Sequence, residues 1–149
     1  MTVPMFFSQR TEYALRAAVW LAGHVGKPST TAEIAAGTQV PASYLSKILQ
    51  SLGQAGVVVG TRGLGGGFEL ARPAASIRVL EVVEAVDPIR RIHTCPLGIE
   101  DHGAKLCPLH AKLDESIACV ERSFAETSLA DLVVNGPGGH PICPSAPSE

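Results

Sequence analysis

The sequence predicts a mostly α-helical chain with one small β-hairpin. Three observations predict it. Leu45, Ile48, Leu49 and Leu52 fall at i, i+3, i+4 and i+7, one face of a 3.6-residue period. The β-branched run Val57-Val58-Val59 and the segment Phe68-Glu69-Leu70 flank a glycine-rich stretch, which reads as two strands around a turn. Leu109, Leu113, Ile117, Val120 and Phe124 step by 4, 4, 3 and 4 residues, a single apolar stripe late in the chain. A short helix, a turn and a second helix followed directly by a hairpin form a winged helix-turn-helix. The late stripe adds a long dimerisation helix.

Taken in order, Ser8 to about His24 is the first helix. Its segment TEYALRAAVWLAGH is apolar over most of its circumference, so it is expected to be buried on more than one side, between the winged module and the dimer helix. Glu12 and Arg16 lie one turn apart, the spacing of an i,i+4 ion pair. Gly26-Lys27-Pro28 is a turn. Thr30-Thr31-Ala32-Glu33 matches a capping box and opens a second helix through Ala36, with Gly37 as its expected stop. The third helix starts at Pro41, tolerated in a first turn because its missing N–H costs nothing there. Gly56 is its expected stop, since glycine enters the left-handed conformation cheaply. After the hairpin and Arg72-Pro73, Val79, Val82, Val83 and Val86 share one face of a short helix that Asp87-Pro88 ends. Residues 88–107 show no sustained periodicity. Helix resumes at Pro108, and Ser128 to Leu132 begins a last helical turn. From Asn135 the tail is rich in Gly, Pro and Ser and is expected to be disordered. The expected organisation is a winged module over 1–87, a sensor loop over 88–107, a dimerisation helix over 108–134 and a tail over 135–149.

Composition bounds the function. The 149 residues suffice for one core-bearing domain with an accessory element. No run of 18 apolar residues exists, so no membrane span is expected. The N-terminus lacks the charged head and long apolar core of a signal peptide, so a cytoplasmic location is expected. Four cysteines in such a compartment suggest metal or redox chemistry before disulfides. The net charge of −2 hides an asymmetry: residues 1–78 carry seven Lys/Arg against three Asp/Glu, and the remainder is acidic. The mildly basic front half suits a nucleic-acid-facing module.

The exposed face of the third helix carries Ser43, Ser46, Lys47, Gln50 and Gln54: donors, acceptors and one cation, with no acid. Such a face suits DNA, where phosphates repel carboxylates and base edges need hydrogen-bonding partners. Tyr44 would pack in part. Arg62 would project from the wing toward the sugar-phosphate backbone or minor groove. Taken alone, the glycines read more readily as a plain flexible turn. They are not a nucleotide-phosphate loop, because Phe68 stands where the lysine and hydroxyl should follow.

The second informative stretch runs from Cys95 to His110 and also holds Asp101, His102 and Cys107. Thiolates are soft ligands that suit iron–sulfur clusters and zinc. Cys107 and His110 are three apart at a helix start and can share a face, and the positive end of a helix suits a thiolate. The residues alone leave open a cluster, a zinc site, a redox thiol pair, or no site. Cys119, well off the apolar stripe, is expected to be a small helix-packing residue. Cys143, near His140, is expected to be a free thiol. A Cys107–His110 pair could serve a hydrolase, but no oxyanion-hole motif is legible, so an enzyme is not expected.

An ordered set of motifs carries a resemblance over about residues 5–134: TEYALRA at Thr11–Ala17, Ser43-Tyr44-Leu45, Arg62 to Leu70, LEVVEAVD at Leu80–Asp87 and SLADLV at Ser128–Val133. The set resembles the Rrf-two family of bacterial winged-helix regulators, the IscR, NsrR and RirA type. The resemblance implies a homodimer on a palindromic double-stranded operator. It also implies a cluster held by Cys95, Cys107 and His110, which match the family's first and last cysteines and a histidine. Asp101 stands in place of the middle cysteine, which points to a 2Fe-2S cluster rather than a four-iron one. Asp101, His102 or Glu12 could complete the set; some family members use an acid at the position of Glu12, donated by the partner subunit.

Overall fold

The fold comes from a computed structural model that describes residues 6–98 and 105–134. Asp101, His102, Cys143 and the 135–149 tail therefore lie outside the described residues. The elements run α1 (Gln9–Ala22), α2 (Thr31–Thr38), α3 (Ala42–Gln54), β1 (Val58–Thr61), β2 (Gly67–Leu70), a 3₁₀ turn (Ala74–Ser76), α4 (Val79–Val86), α5 (Pro108–Glu126) and α6 (Leu129–Val134). This is the expected helical chain with a two-stranded antiparallel hairpin.

Local chemistry explains most of the boundaries. The Ser8 side chain accepts from the Thr11 amide and caps α1. At α2 the capping box forms as read: Thr30 accepts from the Glu33 amide while Glu33 accepts from the Thr30 amide at 2.7 Å. The Thr30 amide and the Thr30 hydroxyl, which donates to the same carboxylate at 3.0 Å, hold the Glu33 carboxyl below its usual range. Gly37 does not end α2. The helix runs through Thr38 and closes on Gln39, whose φ of +56° puts a non-glycine residue in the left-handed region. The glycine at 37 answers a different need, since a Cβ there would fall 2.0 Å from Trp20 Nε1. Trp20 in turn stacks on His24, with ring centroids 3.8 Å apart.

The end of α3 is a Schellman motif. The Val57 amide donates to the Leu52 carbonyl at 2.9 Å and the Gly56 amide to the Gly53 carbonyl at 3.1 Å, with Gly56 at φ +73°. Val57 is consumed by this closure, so β1 begins at Val58. The hairpin register pairs Val58 with Leu70, Val59 with Glu69, Gly60 with Phe68 and Thr61 with Gly67. A bridge from Ser29 to Phe68 ties the hairpin to the turn between α1 and α2.

The core is one cluster. Ala14, Ala17, Ala18 and Leu21 of α1 meet Ile34, the α3 face Leu45-Ile48-Leu49-Leu52, then Val57, Ile77, Val82 and Leu129. Small alanines let α1 approach α2, α3, α4 and α6 together, which is the all-round burial its sequence implies. The late helix α5 packs on α4, and Phe7, just before α1, meets Phe124 of α5 with ring centroids 5.3 Å apart. The chain then returns. The Val79 amide donates to the Thr127 carbonyl and the Leu129 amide to the Ile77 carbonyl, both at 2.9 Å, fixing α6 against the start of α4. No residue of the 19-residue α5 is buried. Cys119 is exposed rather than packed, which corrects its expected role.

Candidate nucleic-acid interface and cysteine–histidine site

The apolar face of α3 is sunk in the core, so its register is fixed and its other face is presented. Ser43, Ser46, Lys47, Gln50 and Gln54 are all exposed. Ser46 Oγ donates back to the Ala42 carbonyl at 3.4 Å, which leaves its oxygen free to accept. Tyr44 is half exposed and packs edge-on against Tyr13, with centroids 5.8 Å apart. The structure adds a residue that the sequence did not reveal. Arg10 reaches from α1 and donates to Ser51 Oγ at 3.0 Å, which brings a second cation to α3 one turn beyond Lys47. The two residues are 41 apart in sequence, so no local pattern could signal it.

The hairpin follows α3 with only the Schellman turn between them. Arg62 is exposed at its tip. Phe68 lies across Gly60, where a Cβ would fall 3.2 Å from the ring. The wing is therefore braced from within.

The cysteine–histidine site begins at α5. Cys107 is its N-cap and Pro108 its first residue. Cys107 Sγ lies 3.2 Å from His110 Nδ1, the i,i+3 contact that the spacing predicts. Both are partly buried. Cys95 is also partly buried, but among the described residues no three Cys, His, Asp or Glu side chains gather as a metal site. Glu12 forms the i,i+4 pair with Arg16 at 2.8 Å. The donor chemistry of Cys107 and His110 fits iron or zinc; the described residues bring two donors to one point, not four.

The backbone around Cys95 is irregular, as expected, and it is anchored. Arg91 Nε and Nη2 donate to the two carboxylate oxygens of Asp114, both at 2.7 Å, and the Ile92 amide donates to the same carboxylate at 2.8 Å. Glu121 adds a contact at 3.5 Å. The Arg91 guanidinium, with the Ile92 amide, holds the Asp114 carboxyl down from 3.8 to about 2. A bidentate arginine–carboxylate pair fixes orientation as well as distance. The segment after α4 is thus clamped to α5, a contact spanning 23 residues that the sequence did not disclose.

A family model described as "Rrf2: Iron-dependent Transcriptional regulator" matches residues 7–135. The chain belongs to the Rrf2 family. The match spans the α1–α3 module, the wing, the loop and α5 alike. The chain is 28% identical over 132 residues to an HTH-type transcriptional regulator of Aquifex aeolicus (strain VF5), covering 87% of this chain and 92% of that one. Its fold is similar to T. potens IscR, with TM-score 0.73, 22% identity and 88% of each chain covered. It is equally similar to CymR (YrzC), the global cysteine regulator of B. subtilis, with TM-score 0.73, 20% identity, and 90% and 100% covered. As an Rrf2 regulator the chain is a DNA-binding winged-helix protein, not an enzyme. Among the described residues no helix is long and apolar enough to cross a membrane.

Proposed function

We propose that this Rrf2 regulator is a cytoplasmic homodimer that reads a palindromic operator and senses redox state, nitric oxide or iron–sulfur status through the Cys95–His110 segment. The observation that carries the DNA half is the acid-free, exposed face of α3 beside a braced wing. Two copies related by a two-fold axis would set their α3 helices into successive major grooves, about 34 Å apart. Ser43, Ser46 and Lys47 contact bases or phosphates, Tyr44 supports them by packing, and Arg62 holds the wing on the backbone or in the minor groove. The exposed apolar stripe of α5 supplies the dimer face.

For the sensor, Cys95, Cys107 and His110 would hold an iron–sulfur cluster of the 2Fe-2S type, with Asp101 or Glu12 as a further ligand. The family's iron-dependent description and the thiolate–imidazole donor set support this reading. When bound, the group would supply sensitivity to oxidants and nitric oxide. The protein's own part is to carry the change in the loop to α5 through the Arg91–Asp114 clamp.

A second reading is favoured by the two-donor geometry. Cys107 beside His110, at a helix start, is a thiol placed to react, and the regulator could sense oxidation without a cluster or hold zinc. One sample separates these. The full-length protein purified without oxygen is examined by absorption, with iron, sulfide and zinc assayed together. Brown protein with equal iron and sulfide, about two of each per site, supports the cluster. Colourless protein without iron removes it and leaves the thiol or zinc reading, with DNA binding untouched.

A further inference from the structure

Leu64 stands at the tip of the wing with its side chain wholly exposed, at 109% of its reference area. An exposed leucine is ordinary on a protein surface. This one sits on a backbone built to hold it still. The Gly66 amide donates to the Gly63 carbonyl at 3.0 Å and closes a four-residue turn. Gly65 has a φ of +75°, and Leu64 is not among the residues at positive φ. That is a type II turn with Leu64 at the first central position. Gly66 presses so close on its own hairpin that a Cβ would meet the Thr61 carbonyl oxygen at 2.2 Å. Where the tip joins β2, a Cβ on Gly67 would meet the Ser29 carbonyl oxygen at 2.4 Å. These close approaches fix the strand end that carries the tip, and Leu64 meets no apolar surface of its own chain.

The surroundings of Leu64 narrow its use. Gly63, Gly65 and Gly66 are bare backbone, and exposed Arg62 lies two residues before it. One cation, one apolar side chain and otherwise bare backbone form a thin tip, suited to a minor groove about 6 Å wide. A tip that only gripped phosphates would need cations and no leucine.

We propose that Leu64 is an apolar wedge that enters the minor groove beside Arg62 and partly unstacks a base step. The proposal rests on the DNA-binding reading above. Apolar side chains inserted in this way kink the duplex, and the unstacking cost is offset by burial and by the closer fit of the bent DNA. Flexible pyrimidine–purine steps would be favoured, giving sequence preference at positions α3 does not touch.

The test uses full-length protein and a duplex enriched by the wild type from a random-sequence pool. Adenines on the two flanks are replaced in turn by 2-aminopurine, whose fluorescence rises on unstacking. Wild type is expected to raise the signal at a flank. Leu64→Ala should lose that rise and bind roughly tenfold more weakly, with an unchanged salt slope because no counterion contact is lost. Leu64→Phe should restore both. Wild-type affinity or an undiminished fluorescence rise in Leu64→Ala overturns the wedge and leaves DNA binding intact. Failure of the wild type to enrich any sequence overturns the DNA reading and the wedge with it.

Discussion

Single residues hold this structure at points where no other side chain fits. Gly67 is one of them, because its missing Cβ leaves room for the Ser29 backbone and for the bridge between Ser29 and Phe68. None of the obstructing atoms, Ser29 O, C and N, belongs to a side chain. Gly67→Ala is therefore expected to lower stability by about 1–3 kcal/mol, read from urea unfolding; an unshifted midpoint would show that the contact with the Ser29 backbone yields freely. Asp114 gives a second prediction. Its carboxyl is depressed to about 2 by Arg91 and the Ile92 amide. A depressed carboxylate contributes stability that is full above its unfolded value near 4 and is lost as pH falls through the folded value. Its contribution to stability should decline below about pH 4, and the clamp on residues 91 and 92 should be half open near pH 2, followed by NMR of the Asp114 carboxyl carbon and the Ile92 amide. Titration of Asp114 near 4 would mean that Arg91 does not hold it in solution.

At the scale of elements, α3 and the wing act as one rigid unit because the Schellman closure joins them without a linker. Arg62→Ala should weaken binding alike across DNA sequences and flatten the salt dependence by about one unit, since one phosphate contact is lost. Lys47→Ala should do the same if Lys47 faces phosphate; a change confined to particular base pairs would assign it to base readout. The α3 face, the capping box at Thr30 and the stop at Gly56 were all legible, because each rests on neighbours within one or two helical turns. Gly37 was misread for the complementary reason. A glycine after Ala35-Ala36 looks like a helix stop, whereas its partner Trp20 lies 17 residues earlier and one helix away. Arg10 against Ser51 and Arg91 against Asp114 were hidden in the same way. Cys107 and His110 were legible as a pair because helix spacing alone brings them together, while Cys95 depends on a loop path that no periodicity describes.

At the scale of the molecule, the chain is a packed core of α1–α4 and α6 with one helix left over. All 19 residues of α5 escape full burial, yet Leu109, Leu113, Ile117, Val120 and Phe124 line one side of it, and Leu109 and Leu113 are 64% and 46% exposed. Keeping Leu109 and Leu113 in water forgoes part of the roughly 1.5–3 kcal/mol that full burial of each would contribute. In the proposed dimer a second copy of the same stripe would relieve that cost and set two α3 helices at a fixed separation, which a monomer cannot do. Leu113→Asp puts a charge in the stripe at a position that the monomer core does not use. It should leave thermal unfolding of the chain's core in place while sedimentation shifts from dimer to monomer. Operator affinity should fall steeply, because the second half-site would no longer be engaged at high effective concentration. If Leu113→Asp still sediments as a dimer and binds as before, the copies meet through another face, and the stripe on α5 must then be explained by a different partner.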